Sequence, residues 1–332
     1  MLNFKRLSVE QVNWEELDCY EDRTVFETLP WLRYIEKSQH AEPVVAAIEQ
    51  SGELIGYFTG LMVKKYGVKI LGSPFRGWIT LYMGFNLLPG ANRREVLKVF
   101  PSFVFDQLKC HYFEIYDLYT KEEDYEGLGY SVFDLRSFEI DLTKSEEELY
   151  ANMKSACRNK IRKAQKNGVY IEEVSDLGFV DDYYDQLTDV FAKQSLLPTY
   201  PESRVREMIN QLLPTESLLL LRARNKDGLC IATGIFPGFN NRAYYLGGAS
   251  WREYQKLRPN EPMIWYAMRY WKARGIKKLD MWGADFDYKR KYGVSTNKVP
   301  RLIMSKYGIL DELRDLAIKM IKARRTVLGH LT

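Results

Sequence analysis

The sequence has few of the residues that build metal sites and nucleophilic catalytic centres. Among its 332 residues there are only four cysteines and three histidines, namely Cys19, Cys110, Cys157, Cys230, His40, His111 and His330. The cysteines form no Cys-x-x-Cys pair and the histidines are far apart, so neither a zinc site nor a Ser-His-Asp triad is expected. We expect four reduced, mostly buried thiols.

Long apolar segments are absent as well. The N-terminal stretch MLNFKRLSVE lacks the apolar core of a signal peptide, and no run approaches the ~18 apolar residues of a membrane span. Hydrophobic residues make up 46% of the chain and charged residues 28%, which is typical of a soluble globular protein. The net charge of +4 is too small to indicate a partner. We predict a cytoplasmic protein without a transmembrane segment, either free or peripheral at the inner face of the membrane.

Two similar segments lie about half the chain apart. PVVAAIEQSGELIGYFTGLMVKKYGVKILGSP and SLLLLRARNKDGLCIATGIFPGFNNRAYYLGGAS both consist of three strand-like runs separated by turns. Gly52 and Gly228 are 176 residues apart, and so are Gly72 and Gly248. The constant spacing indicates a duplication.

Each segment continues into a helical stretch, near 91–109 and 260–274, and then into a strand, YFEIYDL or KKLDMWG. The shared order predicts an α/β (α+β) fold of two tandem domains, each a mixed twisted sheet flanked by helices. We place the domains at 1–140 and 141–332, because FEIDLTKSEEELY starts a new unit near residue 140.

The stretch DLTKSEEELYANMKSACRNKIRKAQKNGV predicts one long helix. Thr143 and Glu146 form a capping box at its start, and Gly168 ends it. Four cations spaced by four residues form one stripe along it, although each like-charge contact costs roughly 0.2–0.5 kcal/mol. The stripe is either a solvated face or an anion-binding face for phosphates or nucleic acid, and its members are Lys154, Arg158, Arg162 and Lys166.

Taken in order, four stretches of the second half resemble the FemABX-like aminoacyl and acyl transferases. They are IDLTKSEEELYANMKSACRNKIRKAQKNGV, YYLGGAS, RPNEPMIWYAMRYWKARGIKKLDMWG and YKRKYG. The resemblance covers residues 140–306, and the first half only through its architecture. It implies two GNAT-type folds in tandem, with an acceptor-binding N-terminal domain and a catalytic, donor-binding C-terminal domain. Members of this family transfer an amino acid from aminoacyl-tRNA to the peptide of a cell-wall precursor, and relatives use other donors.

The resemblance also implies roles for individual residues. The family pattern F/Y-K-x-x-F/Y-G matches 288–293 and places the functional lysine on Lys289. The D-x-x-G pattern falls on Asp280 and Gly283. Candidate substrate-binding residues in these motifs are Tyr245, Gly247, Gly248 and Tyr292.

The link after the aromatic strand departs from ordinary acetyltransferases, which bind the CoA pyrophosphate with glycine-rich backbone at a helix start. Here GGASWREYQKLRPNEPMIWY has no glycine after Gly248, and Pro259 and Pro262 remove two backbone donors. A standard acetyl-CoA site is therefore not expected.

Amide formation from an activated ester passes through an oxyanion, which a positioned cation can stabilise by ~3–4 kcal/mol. Lys289 is the candidate for this role, while Arg290 or Lys291 faces phosphate or solvent. Asp280, Asp285 and Asp287 follow or end a strand and are alternative general bases, orienting partners of Lys289 or turn residues. No covalent intermediate is required.

Two further stretches carry candidate substrate contacts. In LGSPFRGW, Arg76 and Trp78 either bind a phosphate and stack on a sugar or base, or simply belong to a tight turn. In TYPESR, Tyr200 and Arg204 belong to a candidate substrate loop.

We therefore predict an aminoacyl transferase without a tightly bound cofactor. Its expected donor is aminoacyl-tRNA, and its expected acceptor is an amine of a peptide, amino-sugar or lipid-linked precursor. The alternative is an N- or O-acyltransferase that uses acyl-CoA or an acyl-carrier protein on a polysaccharide or lipid precursor. A non-catalytic RNA-binding protein is the third hypothesis.

Overall fold

The computed structural model describes residues 1–65, 67–75, 78–192, 196–281 and 287–307. In chain order the strands are β1 (Leu2–Leu7), β2 (Glu42–Gln50), β3 (Glu53–Lys65), β4 (Val68–Ser73), β5 (Phe85–Leu87), β6 (Tyr112–Ile115), β7 (Ser131–Asp141), β8 (Tyr170–Val174), β9 (Leu218–Arg224), β10 (Cys230–Phe239), β11 (Arg242–Tyr244), β12 (Gly247–Ser250), β13 (Lys278–Asp280) and β14 (Ser295–Ser305). The α-helices are α1 (Trp14–Asp18), α2 (Leu29–Gln39), α3 (Arg93–Ser102), α4 (Glu122–Tyr125), α5 (Glu146–Asn152), α6 (Ser155–Lys166), α7 (Gly178–Ala192), α8 (Glu202–Leu212), α9 (Asn260–Ala273) and α10 (Asp287–Arg290).

The chain forms two compact units, and each is discontinuous in sequence. Unit 1 consists of 1–20, 40–134 and 299–332, and unit 2 consists of 21–39 and 135–298. The sequence instead predicts two continuous domains that meet near residue 140. Each unit contains a segment from the other half of the chain, which hydrophobic periodicity does not reveal.

Unit 1 is built on a mixed sheet with the strand order β1-β2-β3-β4-β6-β14, and β5 pairs with β3. Strands β4 and β6 are parallel and are connected through α3, whereas the other pairs described here are antiparallel. The core lies between the sheet and α3 and includes Phe58, Phe100, Phe113 and Leu302. The predicted order of three strands, helix and strand is confirmed in this unit.

Unit 2 repeats this arrangement with the strand order β7-β13-β11-β10-β9-β8, and β12 pairs with β10. Strands β11 and β13 are the parallel pair, and α9 connects them. The core packs α6 and α9 against the sheet and includes Phe138, Ile161, Met268 and Leu279. The predicted α/β fold of two similar mixed sheets flanked by helices is thus confirmed.

The predicted long helix is wrong in one respect, because it is two helices, α5 and α6. Its capping box is formed by Ser145 and Glu148 rather than by Thr143 and Glu146. Met153 is extended (φ −66°, ψ 144°) and separates the two helices. The predicted stop at Gly168 is confirmed by its φ of +75°, since Asn167 caps α6 directly before it.

None of the helices in the described part of the chain has the length and hydrophobicity needed to span a bilayer.

Candidate functional site

The register of three strands in unit 2 separates two groups of side chains. Asp280 of β13 lies opposite Glu139 of β7, and Leu279 lies opposite Ile140. Because successive side chains of a strand point to opposite faces of the sheet, Glu139 and Asp280 share one face and Phe138 and Ile140 share the other. The second face is the one that packs against α6 and α9.

Lys289 lies on the core face, in the short helix α10. Its side chain is only 1% exposed, and its ammonium lies 4.7 Å from the centroid of the Phe138 ring. A lysine ammonium is rarely so deeply buried unless it is compensated, and the face of an aromatic ring attracts a cation. The lysine that the sequence predicts to be catalytic is therefore buried, with its Nζ over an aromatic ring.

Asp280 belongs to an ionic cluster on the opposite face. Ser137 Oγ donates to Asp280 Oδ2 at 2.9 Å and contacts Glu139 Oε1 at 3.1 Å. Arg242 donates to Glu139 at 2.7 Å and lies 3.8 Å from Asp280, while Lys278 donates to Glu139 at 3.0 Å. Burial alone would raise the pKa of Glu139, but Arg242 and Lys278 outweigh it, and the pKa is lowered.

The sheet thus lies between two residues that the sequence predicts to work together. Lys289 contacts Phe138 on the core face, whereas Asp280 contacts Ser137 and Arg242 on the other. Asp285, another candidate for the general base, lies outside the described residues. The described contacts of Asp280 make it part of the ionic cluster, and its role as a base stays a prediction.

Strands β11 and β13 stop pairing just after Tyr244 and Asp280. Tyr245 N–H still donates to Asp280 O at 2.8 Å, but β12 then continues alongside β10. Tyr245 stacks on Phe236, with ring centroids 5.1 Å apart, and so lies on the same face as Phe138. Burial raises the pKa of the Tyr245 hydroxyl.

The predicted glycine pair lies directly beneath two tyrosines. The Tyr245 hydroxyl occupies the place where a side chain at Gly248 would begin. The Tyr183 hydroxyl lies 2.9 Å from the position of a Cβ at Gly247. Only glycine at both positions allows the two hydroxyls to approach the main chain of β12 so closely.

Tyr183 connects this strand to the predicted substrate loop. Its hydroxyl is 2.7 Å from that of Tyr200, and burial raises the pKa of both phenols. Arg204 follows in α8, and its buried Nε has no hydrogen-bond partner among the described residues. The structure therefore brings Tyr200 and Arg204 into one cluster with Tyr183, which the sequence analysis missed. Its only sequence signal is a pair of adjacent tyrosines, 183 and 184.

The predicted cationic stripe on α6 is only partly available to an anion. Lys154, Arg162 and Lys166 are exposed. Arg158 instead turns back and donates to the carbonyls of Met153 and of Ala151, the latter at 2.9 Å. Its described role is to cap the end of α5, and its predicted contact with phosphate is not supported by this geometry.

A buried carboxylate at the start of α9 is a second residue that the sequence analysis missed. Glu261 is 5% exposed and accepts from Lys291 at 2.5 Å, and Lys160 lies 3.4 Å away. The negative charge suits the first turn of a helix, because the helix dipole is positive there. An acidic residue in the predicted first turn of 260–274 was the available signal.

The remaining predicted residues lie in different surroundings. Tyr292 is 1% exposed and belongs to the core, while Arg290 is exposed. Trp78 of unit 1 packs against Phe75 with ring centroids 4.9 Å apart, and Arg76 lies outside the described residues. Cys157 is buried in the core, and burial raises the pKa of its thiol to about 11, which keeps it protonated at neutral pH.

Within the described ranges, no group of three or more His, Cys, Asp or Glu side chains is arranged to hold a metal ion.

Part of the chain matches a known protein family, and its fold matches solved structures. Residues 151–290 match the family model of the acetyltransferase (GNAT) domain. No curated protein matches the chain. Among solved structures, FemX is 13% identical with a TM-score of 0.77, and the match covers 93% of this chain and 99% of FemX.

Two more distant structures have the same fold. L-PGS from Bacillus licheniformis is 11% identical with a TM-score of 0.53, and the match covers 89% of this chain and 94% of that one. A tandem GNAT protein from the clavulanic acid biosynthesis pathway is 8% identical with a TM-score of 0.56, covering 92% and 99%. The predicted resemblance to FemABX-like tandem GNAT proteins is confirmed at the level of the fold.

Proposed function

We propose that this chain, which has the tandem GNAT fold of FemX, transfers an aminoacyl group from an activated ester to an amine of a peptide or cell-wall precursor. The observation that carries the proposal is the buried ammonium of Lys289, which lies on the core face of unit 2 near the end of the β11–β13 pairing. A fixed cation in a site of low dielectric stabilises developing negative charge far more than one in water.

The reaction needs no covalent enzyme intermediate. The acceptor amine attacks the ester carbonyl, a C–N bond forms, and the carbonyl oxygen becomes an oxyanion that Lys289 stabilises. The C–O bond to the donor then breaks, and the leaving oxygen takes up a proton while the amine loses one. The three strand-end aspartates remain the proposed sources of the base, and Asp280 is the one whose described contacts argue against it.

Two features support aminoacyl-tRNA over acyl-CoA as the donor. The first turn of α9, where a CoA pyrophosphate would be held in an acetyltransferase, contains the buried carboxylate of Glu261 with its lysines. The carboxylate already occupies the anion-favouring start of the helix, so a pyrophosphate would have to compete with it for Lys291 and Lys160. The exposed cations Lys154, Arg162 and Lys166 on α6 suit the phosphates of a nucleic acid.

The acceptor is proposed to contact Tyr200 and Arg204. The guanidinium of Arg204 has no ion pair with a described carboxylate, and its Nε is buried without a hydrogen-bond partner there. A carboxylate or phosphate of a precursor would satisfy both needs.

The test is product formation by the purified full-length protein with charged tRNA and an amine acceptor. Amide product should appear only with the charged tRNA and fall by at least about 100-fold in Lys289→Met, as for the loss of an oxyanion-stabilising group. The exposed Lys256→Met is the matched control and should retain activity. Product formation without tRNA would refute the donor assignment. Tight, salt-dependent tRNA binding without any product would favour the RNA-binding alternative.

A second candidate function is acyl transfer from acyl-CoA or an acyl-carrier protein, which the match to an acetyltransferase domain favours. A donor that binds the folded state raises the melting temperature by mass action. Acyl-CoA esters at millimolar concentration should therefore raise it if they are donors, and an unchanged melting temperature would exclude free CoA esters.

A further inference from the structure

The segment that carries Lys289 is held on two sides by the residue that follows α10. The carbonyl of Lys291 accepts a hydrogen bond from the N–H of Lys154 at 2.9 Å, where α6 begins. The ammonium of Lys291 donates to Glu261 Oε1 at 2.5 Å, in the first turn of α9. A helix of four residues has little stability by itself, so these outside contacts determine where α10 lies.

The chain beyond Lys291 is fixed as well. Tyr292 is buried in the core, and its N–H donates to Lys289 O at 3.0 Å. Gly293 has a φ of +77°, and a Cβ there would lie 3.0 Å from Asn152 O. Lys291 therefore lies in the chain between the buried residues Lys289 and Tyr292, and its own side-chain partner, Glu261, belongs to another helix.

Glu261 has two cationic partners, and they differ in a useful way. Lys291 is the closer one and its side chain is 16% exposed, whereas Lys160 lies 3.4 Å away and is 36% exposed. Lys160 lies on α6, whereas Lys291 directly follows α10, the helix that carries Lys289. Removing either lysine leaves Glu261 with one cation, but only Lys291 links it to the segment that bears Lys289.

We propose that Glu261 is a positioning residue for Lys289: through Lys291 it holds α10 where the Lys289 ammonium lies over Phe138. The catalytic consequence rests on the proposed function, but the placement of Lys289 can be measured without any substrate. A misplacement of about 1 Å can reduce a rate by roughly 100-fold, because a fixed cation acts only at the right place.

The experiment compares Glu261→Gln and Lys291→Gln, which each remove one charge at similar side-chain size, with the matched control Lys160→Gln. Full-length protein labelled with ¹³C at lysine Cε is observed by NMR, and the Lys289 signal is assigned by its loss in Lys289→Met. The same variants are assayed for kcat and for KM of both substrates. A double variant, Glu261→Gln with Lys291→Gln, tests whether a neutral hydrogen bond between the two amides restores the position.

We expect both single variants to shift the Lys289 signal and to lower kcat about 10- to 100-fold with little change in KM. Lys160→Gln should leave the signal and kcat close to wild type, and the double variant should recover part of the loss. If Glu261→Gln does not fold, Lys291→Gln gives the same comparison.

An unchanged Lys289 signal in folded Lys291→Gln would overturn the proposal, and so would an equal shift in Lys160→Gln. A shifted signal in a protein whose wild type forms no amide product would support the positioning role and refute the proposed function. The two failures are therefore distinguishable.

Discussion

At the scale of the residue, burial and strand alternation separate the charged groups of unit 2 by face. Lys289 lies with the core residues, whereas Glu139, Asp280 and Arg242 form an ionic cluster on the other face of the same strands. The two groups are close in sequence and in register, yet the pleat directs them apart. The cluster is therefore expected to affect stability more than catalysis.

Glu139→Gln tests this at the residue that Arg242 and Lys278 share. Removing one partner of a buried ion pair costs about 3–5 kcal/mol, and the free energy of unfolding should fall by that order at pH 7. The pKa of Glu139 is lower in the folded state, so the wild-type advantage is present above the unfolded pKa of about 4.3 and is lost as the pH falls through the folded pKa. Urea unfolding at pH 7 and below pH 4 measures both values.

The control for this variant is Glu172→Gln, whose carboxylate pairs with Arg224 at 2.7 Å but is 40% exposed. Surface pairs contribute about 0–1 kcal/mol, so its effect should be small at either pH. Equal losses in the two variants would contradict the structural role of the Glu139 cluster.

Arg204 is the residue whose substitution should separate binding from chemistry. Arg204→Met is expected to raise KM for the acceptor about 10- to 100-fold with kcat nearly unchanged, because a hydrogen bond to a charged group contributes about 1.5–3 kcal/mol. Steady-state kinetics at varied acceptor concentration measures this. Arg206→Met is the control, since Arg206 already pairs with Asp181 and Glu202. A fall in kcat with an unchanged KM would contradict the assignment of Arg204 to acceptor binding.

At the scale of the element, periodicity predicted the helices and strands well but not their interruptions. Leu149, Met153, Cys157 and Ile161 all face the core, although Met153 is extended and separates α5 from α6. Because the apolar residues on both sides of the break face the same core, their spacing still looks like that of one continuous helix. One contact at the junction, between Lys154 N–H and Lys291 O, joins residues far apart in sequence, which local patterns cannot foresee.

The same limit applies to the candidate site. Lys289 and the Gly247–Gly248 pair were predicted because short motifs contain them. Glu261 and Tyr183 were missed because their meaning depends on partners brought near by the fold, Lys291 in one case and Tyr200 in the other. Residues within a short motif can be recognised from the sequence, whereas residues that gain a role through tertiary contacts cannot.

The junction of α5 and α6 gives a prediction that divides the cationic stripe into two roles. Arg158→Gln should lower the free energy of unfolding by about 1.5–3 kcal/mol, because it removes charged hydrogen bonds to two carbonyls. Arg162→Gln should leave stability unchanged but weaken tRNA binding and reduce its salt dependence by about one counterion, since Arg162 is exposed. Chemical unfolding and tRNA titrations at several salt concentrations measure the two effects. If Arg158→Gln weakened tRNA binding and left stability unchanged, Arg158 would instead be the phosphate contact.

At the scale of the whole molecule, the duplication is preserved in the order of elements, but the chain does not divide into two continuous halves. Both units contain a parallel pair joined through a helix, β4 with β6 and β11 with β13. Unit 1 nevertheless takes residues 299–332 from the far end of the chain. Among these residues, Leu302 belongs to the core of unit 1, and Arg301 forms a buried ion pair with Glu114 at 2.6 Å.

Residues 1–140, the domain predicted from sequence, should therefore not fold alone. Without β14, the sheet loses the strand that pairs with β6, Leu302 leaves the core, and Glu114 remains as a buried acid without its cation. Joining residues 299–332 to 1–140 through a flexible linker should restore cooperative unfolding, because the missing strand is supplied in the same chain. The same fusion with Leu302→Asp is the control and should fail, since it places a charge in the core. Thermal unfolding followed by circular dichroism distinguishes the three proteins, and a cooperative transition in 1–140 alone would show that the far end of the chain is dispensable for unit 1.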